Sequence, residues 1–454
     1  MDGVPGVHQC PIAPGDTYTY RFRADLYGTS WYHSHFSSQY TAGLFGAMIV
    51  YGPPTYDYDI DLGPIFVHDY YHTYYTDLVQ ELMSPNEATS IGAGTSDNNL
   101  INGKNNFECS SQRTANPCVS DAGLSKFFFE PGKVHRLRFI NSGAEGMLHI
   151  SIDRHKMIII AADFVPMIGK EVEVISLAVA QRMDVLVTGV GKPGDSYWLR
   201  SQIQPCSGAL NPLALAAIYY PGADQTLAPT STAWPDTLPP CLDMDPSTFV
   251  PYYSSTPQPA AQQVDITIAF IQNATGHWLW TMNGVSYRSN YNEPTLLLTK
   301  ATSPDSPLNF PLEYNAYAIN PGKNTSQFAV FHFENTVGVG HPMHLHGHNM
   351  YLLSQGHGTW DGTVIDTPNP PRRDVFICPA SGHLVIAFHA NNPGVWPFHC
   401  HIAWHLGAGL FIQAVEQSEW IQESMSIPAA SYQQCKIWWN YTGHDVVHEI
   451  DSGL

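Results

Sequence analysis

The sequence predicts an all-β fold, and three observations predict it. Short runs of β-branched and aromatic residues recur along the chain, bounded by turn clusters. Glycine (36) and proline (35) together supply 71 of the 454 residues, many of them punctuating those runs. An x-Pro-Gly-(Asp/Lys) turn occurs at Ala13-Pro14-Gly15-Asp16, Glu130-Pro131-Gly132-Lys133 and Asn320-Pro321-Gly322-Lys323, each time leading into a strand-like run. With 44% hydrophobic and 12% aromatic residues the chain can bury a sizeable core, which excludes wholesale disorder.

In chain order, strands are expected at Tyr18–Arg23, Gly46–Tyr51, Val134–Ile140, Met157–Ala161, Val185–Thr188, Val264–Phe270, Phe328–Phe333 and Leu384–Ala390. Helix is expected only near the end, around Ser418–Ser424 and Ser431–Tyr441. Stretches of linker composition lie at Gly52–Tyr58 and Pro221–Pro259, the second rich in Pro, Ser and Thr. They divide the chain into an N-terminal piece (1–52), a middle domain (53–222), a linker (223–259) and a C-terminal domain (260–454).

Charge narrows the function classes. Acids outnumber bases 39 to 20, and the net charge of −19 repels phosphate backbones, so no nucleic-acid partner is expected. No apolar run approaches the ~18 residues that span a bilayer, so no membrane partner is expected either. The first residues, Met1-Asp2-Gly3-Val4-Pro5, lack the basic and apolar regions of a secretory signal. Yet eight Cys and three Asn-x-Ser/Thr sequons, at Asn273, Asn324 and Asn440, favour a secreted, oxidised, glycosylated protein. An extracellular protein with an incomplete N-terminus is the expectation.

An internal repeat leads to the chemistry. Residues 32–45 read Tyr-His-Ser-His-Phe-Ser-Ser-Gln-Tyr-Thr-Ala-Gly-Leu-Phe, and residues 398–411 read Phe-His-Cys-His-Ile-Ala-Trp-His-Leu-Gly-Ala-Gly-Leu-Phe. Both histidines of His-x-His and the closing Ala-Gly-Leu-Phe coincide, while Ser34 faces Cys400 and Gln39 faces His405. A third cluster is His341-Pro342-Met343-His344-Leu345-His346. On an extended strand, residues i and i+2 share a face and i+1 points away. His399 and His401 would then face one side and Cys400 the other, so one segment can serve two metal sites. Likewise His344 and His346 would share a face. Cys400 and His405, completed by a distant His, make the His₂Cys set of a blue-copper centre, and an all-imidazole opposite face suits a copper cluster that handles dioxygen.

His-Pro-Met-His-Leu-His-Gly-His and His-Cys-His-Ile-Ala-Trp-His-Leu resemble signatures of the multicopper oxidases, and the start of the chain, from Met1-Asp2-Gly3-Val4-Pro5-Gly6-Val7 to Pro14-Gly15, resembles the laccase segment just after the family's first copper motif. The ending Asp451-Ser452-Gly453-Leu454 resembles the processed C-terminus of ascomycete laccases. The resemblance implies three cupredoxin-like domains, the first incomplete at its N-terminus, and four coppers in an intact enzyme. It makes His341, Cys400 and His405 type 1 ligands, His344 a type 2 ligand, and His33, His35, His346, His399 and His401 type 3 ligands. Leu410, ten residues after Cys400, takes the axial type 1 position, where a non-coordinating side chain favours a high potential. The His-Trp-His-Gly motif of the family is absent, which implies an inactive fragment with eight of the ten copper histidines, expected to bind type 1 copper but not to turn over dioxygen.

By the same resemblance, Asp2 matches a carboxylate that assists proton delivery near type 2 copper. Glu173, eight residues before Gln181-Arg182, matches the acid that meets the phenol hydroxyl, and Asp451 could relay protons from the tail. Cys10 with Cys435 and Cys206 with Cys241 follow the family's disulfide pattern. Cys109 and Cys118 flank a short polar loop and are expected to pair, and Cys378 is left over in an apolar strand. The implied function is that of a laccase, in which phenols yield single electrons and dioxygen is reduced to water. It would work as a monomer with small phenolic partners. A ferroxidase, an ascorbate oxidase, a one-copper electron carrier and an inactive copper-binding protein are the alternatives.

Overall fold

The computed structural model describes residues 1–320 and 327–445. Five β-sheets dominate it. Near the N-terminus, Gly28–His33 and Phe45–Val50 pair antiparallel in a two-stranded sheet. Between residues 60 and 219 lie a six-stranded and a five-stranded sheet, and between residues 260 and 416 lie another six-stranded and another five-stranded sheet. Each of these four sheets holds one parallel pair: Ile60–Tyr70 with Val134–Asn141, Leu213–Tyr219 with Ser125–Phe128, Ala260–Gln272 with Phe328–Asn335, and Ala316–Ile319 with Phe411–Glu416.

Alternating strand positions supply the cores. Ile65, Val67, Phe139 and Val185 of the middle six-stranded sheet meet Leu148, Ile150, Ile175 and Leu199 of its five-stranded neighbour. In the C-terminal region Phe331, Phe333, Ile386 and Phe388 meet Leu345, Phe398 and Ile412, and this cluster reaches Cys400 and Leu410. Full burial of such side chains contributes about 1.5–3 kcal/mol each.

Seven of the expected strands are present within a few residues of their expected ends. Tyr18–Arg23 is not a strand: it pairs with no strand among the described residues, and its side chains are largely exposed. A lone extended segment leaves its backbone donors and acceptors unpaired, so propensity alone does not make it a sheet strand. Helices Ser418–Glu423 and Ala429–Thr442 match the expectation, but Tyr75–Leu82, Glu87–Gly92 and Thr295–Ala301 were not expected and are helical. Leu78, Val79 and Leu82 form the buried stripe of the first of these, a helical period inside a segment too short to stand out.

Buried ion pairs stitch the regions together. Arg182 donates to both carboxylate oxygens of Asp374 (2.6 and 2.7 Å) and to the Thr29 carbonyl (3.2 Å). Arg373 donates to both oxygens of Asp163 (3.0 and 3.1 Å), and Arg138 donates to Asp61 (2.6 Å) and to the Thr29 hydroxyl (3.0 Å). Disulfides join Cys10–Cys435, Cys109–Cys118 and Cys206–Cys241, while Cys378 and Cys400 are free and buried. Of the sequons, Asn440 lies exposed on the last helix, Asn273 opens a turn, and Asn324 is outside the described residues. No helix of the described residues is long and apolar enough to cross a membrane.

Candidate copper centres

Strand Gly394–Cys400 runs between His341–Leu345 and Phe411–Glu416, with Met343 opposite Cys400 and His344 opposite His399. The alternation of the strand then sends consecutive side chains to opposite faces. Cys400 faces the C-terminal core, where helix Ala403–Gly407 folds back and returns His405. His341 Nδ1 lies 3.0 Å from His405 Nδ1, and Cys400 Sγ lies 3.6 Å from the latter. These donors all lie within 4.8 Å of one another.

Burial pushes His341 down to about 3 and His405 well below its ordinary value, so both imidazoles are neutral. Burial also pushes the Cys400 thiol well above its ordinary value. Two neutral ring nitrogens facing each other beside a thiol are what a soft cation would hold, releasing the thiol proton on binding. The donor set fits copper. Trp280 packs its ring on both histidines, 4.3 Å from His405 and 4.8 Å from His341 between centroids. Leu410 is buried in the same core as Cys400; its carbonyl accepts from the Cys400 amide (3.1 Å) and its amide donates to the His405 carbonyl (3.0 Å).

On the opposite face six imidazoles gather: His33, His35, His344, His346, His399 and His401. Ring centroids are 4.6 Å apart for His33 and His35, 5.1 Å for His33 and His401, 4.7 Å for His344 and His346, and 5.0 Å for His35 and His346. Strand Gly28–His33 and the turn after it supply the first pair, so the cluster spans both ends of the chain. Nδ1 of His33, His344 and His399 donates to the carbonyls of Ser34 (3.0 Å), Asp374 (2.8 Å) and Cys400 (2.8 Å). Each bond fixes the tautomer that leaves Nε2 as a lone pair. His346 Nε2 and His399 Nε2 stand 3.0 Å apart, and the donors of His35, His346 and His399 lie within 4.8 Å of one another. A cation between such lone pairs relieves their repulsion, so these residues fit copper as well. Desolvation holds His33 at about 4 and His344, His399 and His401 well below the usual histidine range.

The three expected acids fare differently. Asp2 Oδ2 lies 2.6 Å from His346 Nδ1 and Oδ1 lies 3.0 Å from His8 Nδ1. Desolvation alone would raise its carboxyl, but His346 and His8 hold it well below the usual carboxylate range. Asp451 lies outside the described residues. Glu173 is not brought to the type 1 ligands. It precedes Val174, which pairs with Ser151, whereas the loop nearest those ligands joins the strand pair at its other end, where Leu177 pairs with Leu148. That is a separation of roughly 13 Å along the strand, and the charge of Glu173 acts on Lys156 instead.

The acid whose loop docks on the helix carrying His405 is Glu145, which the motif spacing had not singled out. It belongs to Ser142-Gly143-Ala144-Glu145-Gly146, the loop after strand Val134–Asn141. The Ala144 carbonyl accepts from the Ala403 amide at 2.7 Å, docking the loop on the helix that carries His405. Burial and the charge of Asp69 push the Glu145 carboxyl well above its ordinary value, and its charge is felt by Cys400. A lone acid within a run of small residues was the signal available in the sequence.

Three stretches match multicopper oxidase family models: residues 1–55, 61–223 and 287–419. The chain is 39% identical to Laccase-1 of Botryotinia fuckeliana over 100% of its own length and 77% of that relative. It superposes on a laccase from Botrytis aclada with a TM-score of 0.87 and 34% identity, covering 100% of this chain and 82% of that one. Fet3p, a multicopper oxidase that functions in iron import, shares the fold with a TM-score of 0.80 at 24% identity, covering 96% of this chain and 82% of that one. The chain belongs to the multicopper oxidase family: it is a laccase-like, copper-dependent oxidoreductase with a cupredoxin-like fold.

Proposed function

We propose that this oxidase takes single electrons from phenols at the His405 edge of the His341–Cys400–His405 set and delivers them to dioxygen at the six-imidazole cluster, forming water. Copper bound at the two sets supplies the one-electron redox chemistry. The residues of the chain supply the rest. The observation that carries the reading is the docking of the Glu145 loop on helix Ala403–Gly407, the helix that returns the partly exposed His405.

A phenol that loses an electron becomes a strong acid, and its hydroxyl proton needs an acceptor. Glu145, ionised, takes that proton as the phenoxyl radical forms. Trp280 offers an aromatic face over His405 and His341 and excludes water from their rings. Cys400 is joined through its own backbone to His399 and His401, a covalent path from one set to the other. At the far end Asp2 orients His346 and holds a carboxylate oxygen where protons for dioxygen reduction can enter. Leu410, buried in the same core, would add no donor, so His341, Cys400 and His405 would be the three residues that hold type 1 copper. The divisions 1–52, 53–222, 223–259 and 260–454 belong to this reading, supported by sheets that each fall within one division. Secretion is part of it too, supported by three disulfides.

The test is anaerobic bleaching of the blue band of the copper-loaded protein by a phenol and, separately, by iron(II), which needs only the type 1 set. Bleaching by the phenol that outpaces bleaching by iron(II) is expected. Iron(II) as the better donor would replace this reading with a ferroxidase.

A further inference from the structure

Asp69 lies on strand Ile60–Tyr70, 5% exposed, and is separated by 76 residues from Glu145. Its Oδ1 accepts from the Ala144 amide (2.6 Å), and its Oδ2 accepts from the amides of Glu145 (2.8 Å) and Gly146 (2.6 Å) and from the Tyr71 hydroxyl (3.3 Å). One carboxylate thus gathers three consecutive amides of the acid-bearing loop. Loop composition leaves room for it: a Cβ at Gly143 would stand 2.8 Å from Asp69 Oδ1, and one at Gly146 would stand 3.3 Å from Oδ2.

The same loop is bound from its other side. Ala144 accepts from the Ala403 amide, the Tyr40 hydroxyl donates to the Gly143 carbonyl (3.2 Å) and the Ser207 hydroxyl donates to the Glu145 carbonyl (3.0 Å). Tyr71, which touches Asp69, accepts from Trp404 Nε1 at 3.1 Å, so the 60–70 strand reaches the residue next to His405 by a second route. A side chain held at a loop tip is only as well placed as the amides beneath it.

We propose that Asp69 is a positioning residue for phenol oxidation: by binding the amides of residues 144–146 it fixes the Glu145 loop against the helix that carries His405. The inference rests on the phenol reading given above.

The experiment follows bleaching of the blue charge-transfer band by rapid anaerobic mixing, which needs only the type 1 set. A phenol and ferrocyanide, a donor without a proton to lose, are compared in copper-loaded wild type, Glu145→Gln, Asp69→Asn and Gly146→Ala. The Asp69→Asn change keeps the shape of the side chain but turns an amide nitrogen toward at least one N–H donor. We expect the phenol-to-ferrocyanide rate ratio to fall about tenfold or more in Asp69→Asn. Gly146→Ala, which crowds the carboxylate from the loop side, should lower the ratio by less. In the metal-free proteins, amide hydrogen exchange at residues 144–146 should quicken in Asp69→Asn. An unchanged ratio in Asp69→Asn, beside a reduced ratio in Glu145→Gln, would overturn the positioning role and leave the phenol reading standing. If Glu145→Gln leaves the ratio unchanged, the phenol reading fails instead. Unchanged exchange at 144–146 overturns the proposal in either case, including for a variant that binds copper poorly.

Discussion

His399 and Cys400 are consecutive in the chain, yet their side chains end in different donor sets: Cys400 Sγ is 3.6 Å from His405 Nδ1, and His399 Nε2 is 3.0 Å from His346 Nε2. The pleat of a single strand makes this separation, and the register with His341–Leu345 repeats it one strand over. Two centres are thereby held a few bonds apart by secondary structure that tolerates no slip, because a one-residue shift would exchange their donors.

Cys400→Ser should therefore abolish the blue charge-transfer absorption of the copper-loaded protein. The fold should persist, since the replacement is nearly isosteric. Visible absorption and far-UV circular dichroism check the two halves of this expectation. Persistent blue colour would remove Cys400 from the type 1 set.

Glu145→Ala should slow phenol oxidation roughly 10²-fold if Glu145 acts as the general base. Glu173→Ala should change it little. In the wild type, burial and Asp69 raise the Glu145 carboxyl above the ordinary ~4.3 of a glutamate. The ionised form is the acceptor, so the phenol rate should climb with pH through a window above that value, while a donor without a proton shows no such limb. Steady-state rates for both donors across pH decide this.

What the sequence disclosed and what it hid divide along physical lines. The nine donors carry their information in local spacing, where period-two alternation turns His-Cys-His into two faces. Glu145 was hidden because the placement of its loop depends on Asp69, far away in the chain, and on a hydrogen bond from Ala403 that no spacing encodes. Glu173 was misplaced because an offset from Gln181-Arg182 says nothing of the direction in which the 174–177 strand runs. Tyr18–Arg23 has the composition of a strand but no strand partner among the described residues.

Asp163 offers a stability test away from copper. It is fully buried between Arg373 and Arg182, which hold its carboxyl below the usual range against the opposite push of burial. Asp163→Asn leaves both cations short of charge and should cost about 3–5 kcal/mol. A depressed carboxyl contributes fully above its unfolded value of ~3.9 and loses that contribution as pH falls through its folded value. Denaturant unfolding should thus separate wild type and variant widely at pH 6, and the gap should narrow in strong acid.

Cys10–Cys435 closes a loop with a sequence separation of 425, tying the N-terminal segment to helix Ala429–Thr442. Replacing both cysteines with serine should lower stability by about 2–4 kcal/mol. Thermal unfolding should fall accordingly, and the type 1 spectrum should be retained, because its ligands lie elsewhere.

The most direct measurement is anaerobic titration of the copper-loaded protein with a phenol, read as the blue band, followed by admission of oxygen. The band is predicted to bleach as the phenol is added, at a rate that drops in Glu145→Gln for the phenol but not for ferrocyanide. A band that ferrocyanide bleaches and phenol does not, or a wild-type protein with no blue band at all, would contradict the assignment of His341, Cys400 and His405 as the port through which phenols give up their electrons.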